Sequence, residues 1–243
     1  MSETPETRAK PLIRVRDLRK VYAVGEERVV ALDKINLTIM QGETCCIFST
    51  SGSGKSTLLN QLAGMERPSV GDVFIGNSAI SRMPESDLAI FRQRYLGFIF
   101  QSYNLLPQLT AVENVALPLA FRGIEKRVRD RMAVDLLKRV GLRHRLSHYP
   151  GQMSGGQQQR VGIARAFINR PKVVFADEPT GNLDTRTTGE VLHMMKEFAA
   201  EFNETLILVT HDPTIQEYAD RVVTLRDGVV ISNIKGGEAD ETI

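Results

Sequence analysis

The chain has 243 residues, of which 42% are hydrophobic and 25% are charged, a composition typical of a globular protein and not of a disordered one. Its 31 basic and 29 acidic side chains leave a formal net charge of +2, which is too small to indicate nucleic acid as the main partner. No apolar run approaches the ~18 residues needed to cross a bilayer, and the first residues lack the apolar core of a secretion signal. We therefore expect a cytosolic chain.

The two ends differ from the rest of the chain. Residues 1–11 are polar and contain two prolines, and residues 232–243 mix glycine with acids, so we expect both ends to be flexible. Between them there is no repeat of 20–50 residues and no low-complexity linker. This indicates one domain over residues 12–231 that carries an insertion.

Short apolar runs between the two ends predict strands. They lie at residues 12–15, 35–39, 44–48, 73–75, 96–100, 173–176, 206–209 and 221–225. Helical spacing follows several of them, at residues 55–63, 154–169 and 184–202. The alternation predicts an α/β fold with a largely parallel sheet. Residues 111–140 have helical patterning and no strand, and we interpret them as an inserted helical lobe.

The two cysteines, Cys45 and Cys46, are neighbours within the predicted strand at 44–48. Strand geometry directs their side chains to opposite faces, which disfavours a disulfide between them. No other cysteine is present to complete a set of metal ligands with these two. We expect two reduced thiols in the core.

Polar residues follow four of the predicted strands directly. These residues are the loop 51–57, Gln101, the pair Asp177 and Glu178, and His211. The carboxyl ends of parallel strands lie at one edge of a sheet, where open α/β sheets bind their ligands. The sequence therefore predicts a single site that collects all four.

The loop Ser-Gly-Ser-Gly-Lys-Ser-Thr at residues 51–57 has the composition of a phosphate-binding loop. Gly52 and Gly54 allow successive backbone N–H groups to turn toward a phosphate, and the helix that follows favours an anion at its N-terminus. Lys55 adds a positive charge, and Ser56 is expected to give its hydroxyl to Mg²⁺. A glycine-rich turn before a helix without a ligand is the structural alternative.

Ser49 departs from the full phosphate-loop pattern, which has a glycine five places before Gly54. If the backbone there needs a positive φ, serine costs about 1–2 kcal/mol. On that condition, Ser49→Gly is expected to strengthen nucleotide binding or to speed turnover.

Asp177 and Glu178 follow four apolar residues of a buried strand, which tolerates acids only if a cation or hydrogen-bond donors receive them. Asp177 fits a Mg²⁺ ligand. Glu178 lies one residue further out and could orient or deprotonate an attacking water, a role worth about 10²–10⁴-fold in rate. Solvated acids at a strand end are the alternative.

The segment at residues 153–157, Met-Ser-Gly-Gly-Gln, begins a predicted helix. Ser154 and Gln157 have the spacing of a capping box. Gly155 and Gly156 are poor helix formers, by about 1 kcal/mol each, so we interpret them as a place where a ligand approaches bare backbone. An ordinary capped helix start is the alternative.

Over residues 12–231 the chain closely resembles the ATP-binding cassette family, the nucleotide-binding subunits of ABC transporters. The resemblance rests on the loop at 51–57, Gln101 as the Q-loop, residues 153–157 as the signature, Asp177 and Glu178, residues 182–184 as the D-loop, and His211 as the switch. Met153 stands where the family usually has leucine. Residues 100–115 look like the subgroup of lipoprotein-releasing, macrolide-exporting and antimicrobial-peptide-handling transporters.

The resemblance implies a P-loop NTPase (RecA-like) core with a mostly parallel sheet, an N-terminal antiparallel β subdomain, and an α-helical subdomain inserted at about 102–165. It implies ATP hydrolysis with ATP and Mg²⁺ as the bound groups. The nucleotide-binding residues implied are Tyr22, Ser49, Thr50, Ser51, Gly52, Ser53, Gly54, Lys55, Ser56, Thr57, Ser154, Gly155, Gly156, Gln157 and Asp184. The catalytic ones are Glu178, His211, Gln101 and Lys55, and those near the metal are Ser56, Gln101 and Asp177. Tyr22 would stack on adenine, or be an ordinary packed tyrosine.

In the family, ATP lies between the phosphate loop of one subunit and the signature of another. The resemblance thus implies two copies of this chain, or this chain with a similar partner, bound to a membrane permease at the cytoplasmic face of the membrane. A module that drives cell-wall enzymes without transport is the alternative. A soluble ATPase acting on nucleic acid is disfavoured, because the sequence has no long coiled coil and no second cassette. The basic stretch at 122–145 fits a solvated helix face, or contact with the permease or with anionic headgroups.

Overall fold

The computed structural model describes residues 10–50 and 52–235. The predicted flexibility at residues 1–9 and 236–243, and the predicted role of Ser51, lie outside these residues. In chain order the strands are β1 (Pro11–Val24), β2 (Glu27–Met40), β3 (Thr44–Phe48), β4 (Val70–Ile75), β5 (Ser78–Ala79), β6 (Leu96–Phe100), β7 (Val173–Asp177), β8 (Thr205–Thr210), β9 (Arg221–Arg226) and β10 (Val229–Lys235). The helices are α1 (Lys55–Leu62), α2 (Glu85–Tyr95), α3 (Ala111–Phe121), α4 (Lys126–Arg139), α5 (Gly155–Phe167) and α6 (Thr185–Phe202).

The strands form two sheets. One is antiparallel, with the order β2-β1-β4-β5, and it is dominated by the long β1–β2 hairpin. The other has the order β10-β9-β3-β8-β7-β6, in which β9, β3, β8, β7 and β6 run parallel and β10 is antiparallel at one edge. The predicted α/β class, with its parallel core sheet and N-terminal antiparallel subdomain, is confirmed.

The central strands are buried on both faces, as continuous apolar runs predict. In β7, Val173 and Phe175 pack with α1 against the antiparallel sheet, whereas Val174 and Ala176 pack against the helices on the other face. Cys45 and Cys46 are both free and buried, as predicted. Packing on both faces of the central strands fixes the positions of their carboxyl ends.

The predicted helical lobe consists of α3 and α4, which pack on each other and on α5. Thr110 and Glu113 form a complete capping box at the start of α3. The exposed cations of α4 are partly neutralised within the helix, by Lys126–Asp130 and Lys138–Asp135 ion pairs. This favours the solvated-face interpretation for much of the basic stretch.

Several elements differ from the sequence prediction, among them α2, β1 and β10. Helix α2 was not predicted, because only Leu88 and Phe91 of its residues are buried and its apolar periodicity is weak. Pro11 begins β1, and residues 232–235, assigned above to a flexible tail, belong to β10. That strand pairs with β9 at a sheet edge and is only partly buried, so its sequence carries little apolar signal.

Candidate functional site

The carboxyl edge of the parallel sheet opens into a cavity of about 770 Å³. Eight of the predicted site residues line it: Gly52, Gly54, Lys55, Ser56, Thr57, Gln101, Glu178 and His211. They follow four strands, β3, β6, β7 and β8, so the topology brings together the polar groups that the sequence placed at strand ends.

The phosphate loop has the backbone geometry that anion binding requires. Gly52 and Gly54 have φ values of 83° and 92°, and Gly54 leads directly into α1. A Cβ on Gly54 would lie 2.6 Å from the Ala31 carbonyl oxygen, so the loop packs too closely against β2 for a side chain there. Lys55 and the first residues of α1 line the same cavity, where the helix N-terminus and the ammonium charge both favour an anion.

Lys55 is held over the loop that precedes it. Its Nζ donates to the carbonyl oxygens of Ser49 at 2.8 Å and of Thr50 at 3.0 Å. Ser53 is buried, and its hydroxyl bonds within the loop to Thr50. These side-chain contacts use carbonyl and hydroxyl oxygens of the loop and none of its backbone N–H groups.

Ser49 has no positive φ in this structure. Its side chain is buried and donates to the Thr50 carbonyl at 3.1 Å, and its N–H donates to the Thr210 carbonyl at 3.2 Å. The condition for backbone strain is therefore not met. The expected gain from Ser49→Gly loses its physical basis.

Glu178 forms the centre of a hydrogen-bonded group at the end of β7. Its Oε1 lies 2.7 Å from Nδ1 of His211, and its Oε2 accepts from the Thr210 hydroxyl at 3.1 Å. The residue has a φ of 45°, which is uncommon for a side chain of this size and is maintained by the surrounding contacts. A carboxylate held in this way can orient a water molecule and accept its proton.

Asp177 is half-buried beside Glu178. Burial, with the neighbouring Glu178 charge, raises the pKa of Asp177, and the Lys55 charge offsets part of this. The described residues contain no group of three His, Cys, Asp or Glu side chains that could hold a metal alone. Among the described residues, Ser56 lines the cavity and Asp177 does not. A carboxylate and a hydroxyl are oxygen ligands of the kind that Mg²⁺ uses together with a nucleotide, so the chemistry of these two side chains fits the metal.

Tyr22 is not among the described residues that line the cavity. Its hydroxyl donates to Glu66 Oε2 at 2.6 Å, and Lys20 Nζ lies 5.0 Å from the ring centroid. Burial, and to a smaller extent the hydrogen bond to Glu66, raises the pKa of Tyr22. Stacking of this ring on adenine stays a prediction.

The signature residues 154–157 also do not line the cavity, as far as the chain is described. Ser154 and Gln157 form the predicted capping box: Ser154 N–H donates to Gln157 Oε1 at 3.2 Å, and Gln157 N–H to Ser154 Oγ at 3.4 Å. Met153 is buried in the helical lobe, where leucine would also fit. Asp184 caps α6 by accepting from Thr187 N–H at 3.0 Å. Both motifs are therefore held by capping hydrogen bonds at helix N-termini.

The structure supplies a reason for Gly155 other than a ligand. A Cβ at this position would lie 2.7 Å from the hydroxyl of Tyr103, two residues after Gln101. Gly156 similarly faces Thr187. The glycines therefore allow the start of α5 to pack on the Q-loop and α6.

Several functional candidates were not found from the sequence. Val29, Val30, Ala31, Asp227 and Gly228 complete the cavity wall. An available signal was the Asp-Gly turn between β9 and β10. Thr210 and Gln159 were also missed; the Gln159 side chain donates to the carbonyl of Pro179 at 2.5 Å, next to Glu178.

A second cavity, of about 720 Å³, lies at the opposite, amino-terminal end of β6 and β7. Phe121, whose side chain is exposed, forms part of its wall. Its cations, none of which forms an ion pair with a described residue, are Arg94, Arg122, Arg170 and Lys172. This surface is suited to an acidic partner.

Comparison with known proteins gives consistent matches. A protein-family model described as ABC transporter matches residues 32–181. The chain is 45% identical over 222 residues to the lipoprotein-releasing system ATP-binding protein LolD of Geobacter metallireducens, covering 91% of this chain and 99% of that protein. It is also 45% identical over 222 residues to the macrolide export ATP-binding/permease protein MacB of Vibrio parahaemolyticus, covering 91% of this chain but 34% of that protein.

Among solved structures, a dimeric post-hydrolysis state of the ATP-binding cassette MJ0796, bound to ADP and Pi, superimposes with a TM-score of 0.87 at 38% identity. The match covers 94% of this chain and 100% of that one. A second dimeric structure of MJ0796, described as a bacterial ABC transporter cassette, gives the same TM-score at 39% identity.

Proposed function

We infer that this chain, which belongs to the ABC transporter family, is the ATP-binding and ATP-hydrolysing subunit of a transporter complex of the lipoprotein-releasing or macrolide-exporting type. The observation that carries this is the convergence of Lys55, Gln101, Glu178 and His211 on one cavity at the carboxyl edge of the parallel sheet. Similarity to LolD over nearly the whole length of both proteins supports the transporter type.

Each polar side chain of the cavity has a different role in the proposed hydrolysis. Lys55 and the amides at the start of α1 bind the phosphates, which fixes the γ-phosphoryl group for in-line attack. We assign to Glu178 the orientation of the attacking water and the acceptance of its proton, and to His211 contact with the γ-phosphate. Gln101, at the end of β6, reports occupancy of the site to the helical lobe.

Ser56, Asp177 and Gln101 would hold Mg²⁺. When bound, the metal neutralises charge on the β- and γ-phosphate oxygens. Burial and the Glu178 charge raise the pKa of Asp177 because they disfavour its charged form. A cation bound beside Asp177 would favour the charged form.

The chain acts as a dimer. Its own signature residues, which begin at Ser154 and include Gly155, do not line its own cavity in the described structure, so they are available to a nucleotide held by another copy. The start of α5 would present amides to that γ-phosphate and give it a second electropositive wall. Two copies in this arrangement complete two equivalent sites, and the dimeric MJ0796 structures support it.

A membrane permease is the partner on which hydrolysis acts. No helix within residues 10–50 and 52–235 is long and apolar enough to span a membrane. The MacB relative is named as both ATP-binding protein and permease, and this chain matches 34% of its length, which supports a permease as the partner. We propose that the permease holds the subunit at the cytoplasmic face of the membrane, with the cationic second cavity as part of the contact.

The alternative, an ATPase that drives cell-wall enzymes without moving a solute, would use the same cavity and dimer. The names of the LolD and MacB relatives favour transport. Transport of a lipoprotein or hydrophobic solute by the reconstituted complex would support the first function, and ATP turnover that activates a cell-wall enzyme with no solute movement would support the second.

The test of hydrolysis uses the purified chain with ATP and Mg²⁺. We predict measurable phosphate release, reduced by at least about 100-fold in Lys55→Met, because the loop then lacks its only side-chain cation for the phosphates. Lys138→Met, which removes an exposed cation of α4, serves as the control and should match the wild-type rate. Equal rates in Lys55→Met and wild type would contradict the assignment of the cavity.

A further inference from the structure

Thr210 lies at the carboxyl end of β8, immediately before His211, and its side chain is fully buried. Its hydroxyl is within hydrogen-bonding distance of two groups. The backbone N–H of Asp212 lies 3.0 Å from Oγ1, and Glu178 Oε2 lies 3.1 Å from it. The residue therefore connects the strand that carries His211 to the carboxylate assigned as the water-activating group.

The direction of these two hydrogen bonds is determined. A backbone N–H can only donate, so Oγ1 of Thr210 accepts from Asp212. The single hydroxyl proton of Thr210 is then free to point at Glu178, which in its charged form can only accept. A bond from a neutral donor to a charged carboxylate is among the stronger hydrogen bonds in proteins.

The two partners of Glu178 differ in how firmly they are held. The His211 side chain is 64% exposed, while that of Glu178 is 16% exposed. Thr210 is 0% exposed, and its carbonyl oxygen accepts from the Ser49 N–H of the phosphate loop at 3.2 Å. His211 can leave Oε1 to reach a γ-phosphate without disturbing the core, whereas Thr210 cannot move from Oε2 without shifting β8.

We propose that Thr210 is a positioning residue that fixes the Glu178 carboxylate through Oε2. The carboxylate then stays oriented toward the attacking water while the His211 side chain moves between Glu178 Oε1 and the nucleotide. This rests on the water-activating role proposed for Glu178. It assigns Thr210 an effect on the hydrolytic step and none on ATP binding, because its hydroxyl does not line the cavity.

Thr210→Val tests the proposal, since it keeps the branched shape and removes the hydroxyl. We expect kcat to fall about tenfold, the loss of one hydrogen bond to a charged group, with the Kd for ATP changed less than about twofold. Thr210→Ser, which retains the hydroxyl, should restore most of the rate. If Thr210→Val does not fold, Thr210→Ala removes the same hydroxyl without requiring β8 to accommodate an added methyl group.

The chain offers a matched control at the other end of the same strand. Thr205 is also fully buried, and its hydroxyl accepts from Gly42 N–H at 2.9 Å and lies 3.4 Å from the Met40 carbonyl. Thr205→Val should lower the melting temperature about as much as Thr210→Val while leaving kcat unchanged. A general loss of packing in β8 would instead lower kcat in both variants.

The double variant Glu178→Gln/Thr210→Val separates the two roles. We expect it to be no slower than Glu178→Gln alone, because Thr210 acts through Glu178. A wild-type kcat in Thr210→Val, or a further tenfold loss in the double variant, would overturn the proposal. A wild-type rate in Glu178→Gln would remove the role of Glu178 and this proposal with it, while leaving ATP hydrolysis by the chain established.

Discussion

Ser49, the residue at the start of the phosphate loop, is compatible with the loop geometry. Its backbone needs no left-handed conformation, and its carbonyl oxygen receives the Lys55 ammonium as any residue's would. Its buried hydroxyl also bonds to the Thr50 carbonyl, a contact that glycine would lose. Serine at this position is thus part of the packing of the loop and does not weaken the site.

We predict that Ser49→Gly changes kcat and the Kd for ATP by less than about twofold and lowers stability by about 0.5–1 kcal/mol, because glycine gains freedom in the unfolded chain. Steady-state ATPase assays and chemical denaturation measure both effects. A several-fold gain in affinity would show that serine does strain the loop.

Glu204, at the end of the loop after α6, is the buried acid that the mechanism does not use. The side chain is 2% exposed, and neither carboxylate oxygen has a hydrogen-bond partner among the described residues. Burial raises the pKa of Glu204 to about 8, and the Arg170 charge offsets only part of this. The folded chain therefore holds the carboxyl protonated near neutral pH, while the unfolded chain releases the proton near its ordinary value of 4.5.

Because the folded-state pKa is raised, the bound proton makes its full contribution to the free energy of unfolding below pH 4.5. This contribution is lost as the pH rises toward 8. We predict that Glu204→Gln, which cannot ionise, gains stability relative to wild type over this range by up to about 1.4 kcal/mol per pH unit. Denaturant unfolding at pH 5 and pH 8 measures the change. Exposed Glu217→Gln is the control, and an equal stability difference at both pH values would contradict burial as the cause.

At the scale of elements, the contact between α5 and the Q-loop joins the signature to the cavity. Gly155 leaves the space that Tyr103 Oη occupies, and Arg165 of α5 holds the Tyr103 carbonyl at 2.8 Å. Gln101, two residues before Tyr103, lines the cavity. The start of α5 therefore packs directly on the Q-loop.

We predict that Gly155→Ala destabilises the chain by at most about 1 kcal/mol, because the overlapping atom is the outer end of the half-buried Tyr103 side chain, which can turn aside, and because alanine has the better helix propensity. Adding Tyr103→Phe, which removes the overlapping oxygen, should recover most of the loss. Thermal melts and ATPase rates measure both variants. Gly151→Ala is the matched control, because a Cβ there meets nothing within 4 Å. No recovery in the double variant would show that the hydroxyl is not the obstacle.

The elements that the sequence predicted well are strands of continuous apolar residues that are mostly buried. Strands β3 and β6 were predicted with the bounds that they have, because apolar residues on both faces leave no ambiguity about their extent. The β1–β2 hairpin proved far longer than the two short apolar runs within it, since its outer half is exposed and alternates weakly. Helix α2 and strand β10 were missed for the same reason.

The residues of the candidate site also differ in whether the sequence alone could identify them. Residues at strand ends, such as Lys55 and Glu178, could be found because a parallel topology alone brings them together. Thr210, Tyr103 and Gln159 could not, because their roles depend on which side chain each contacts across the fold. Glu178 and Thr210 are 32 residues apart, and no local pattern indicates that their side chains meet.

At the scale of the whole molecule, the proposed signature residues and the proposed nucleotide cavity lie apart within the described part of one chain. The cavity of Lys55 and Glu178 is open to solvent, and the capped start of α5 does not line it in the described structure. ATP bridging two copies would complete both sites, and its hydrolysis would remove the bridge. A membrane partner bound to each copy would then be driven by opening and closing of the pair.

The most direct test is the mass in solution of the Glu178→Gln variant with Mg²⁺ and ATP, measured by analytical ultracentrifugation at nucleotide saturation. Without hydrolysis, ATP should continue to bridge two copies of the chain. We therefore predict a mass of two chains in the presence of ATP and of one chain in the presence of ADP. A single-chain mass with one ATP bound per chain would contradict the claim that two copies hold the nucleotide jointly.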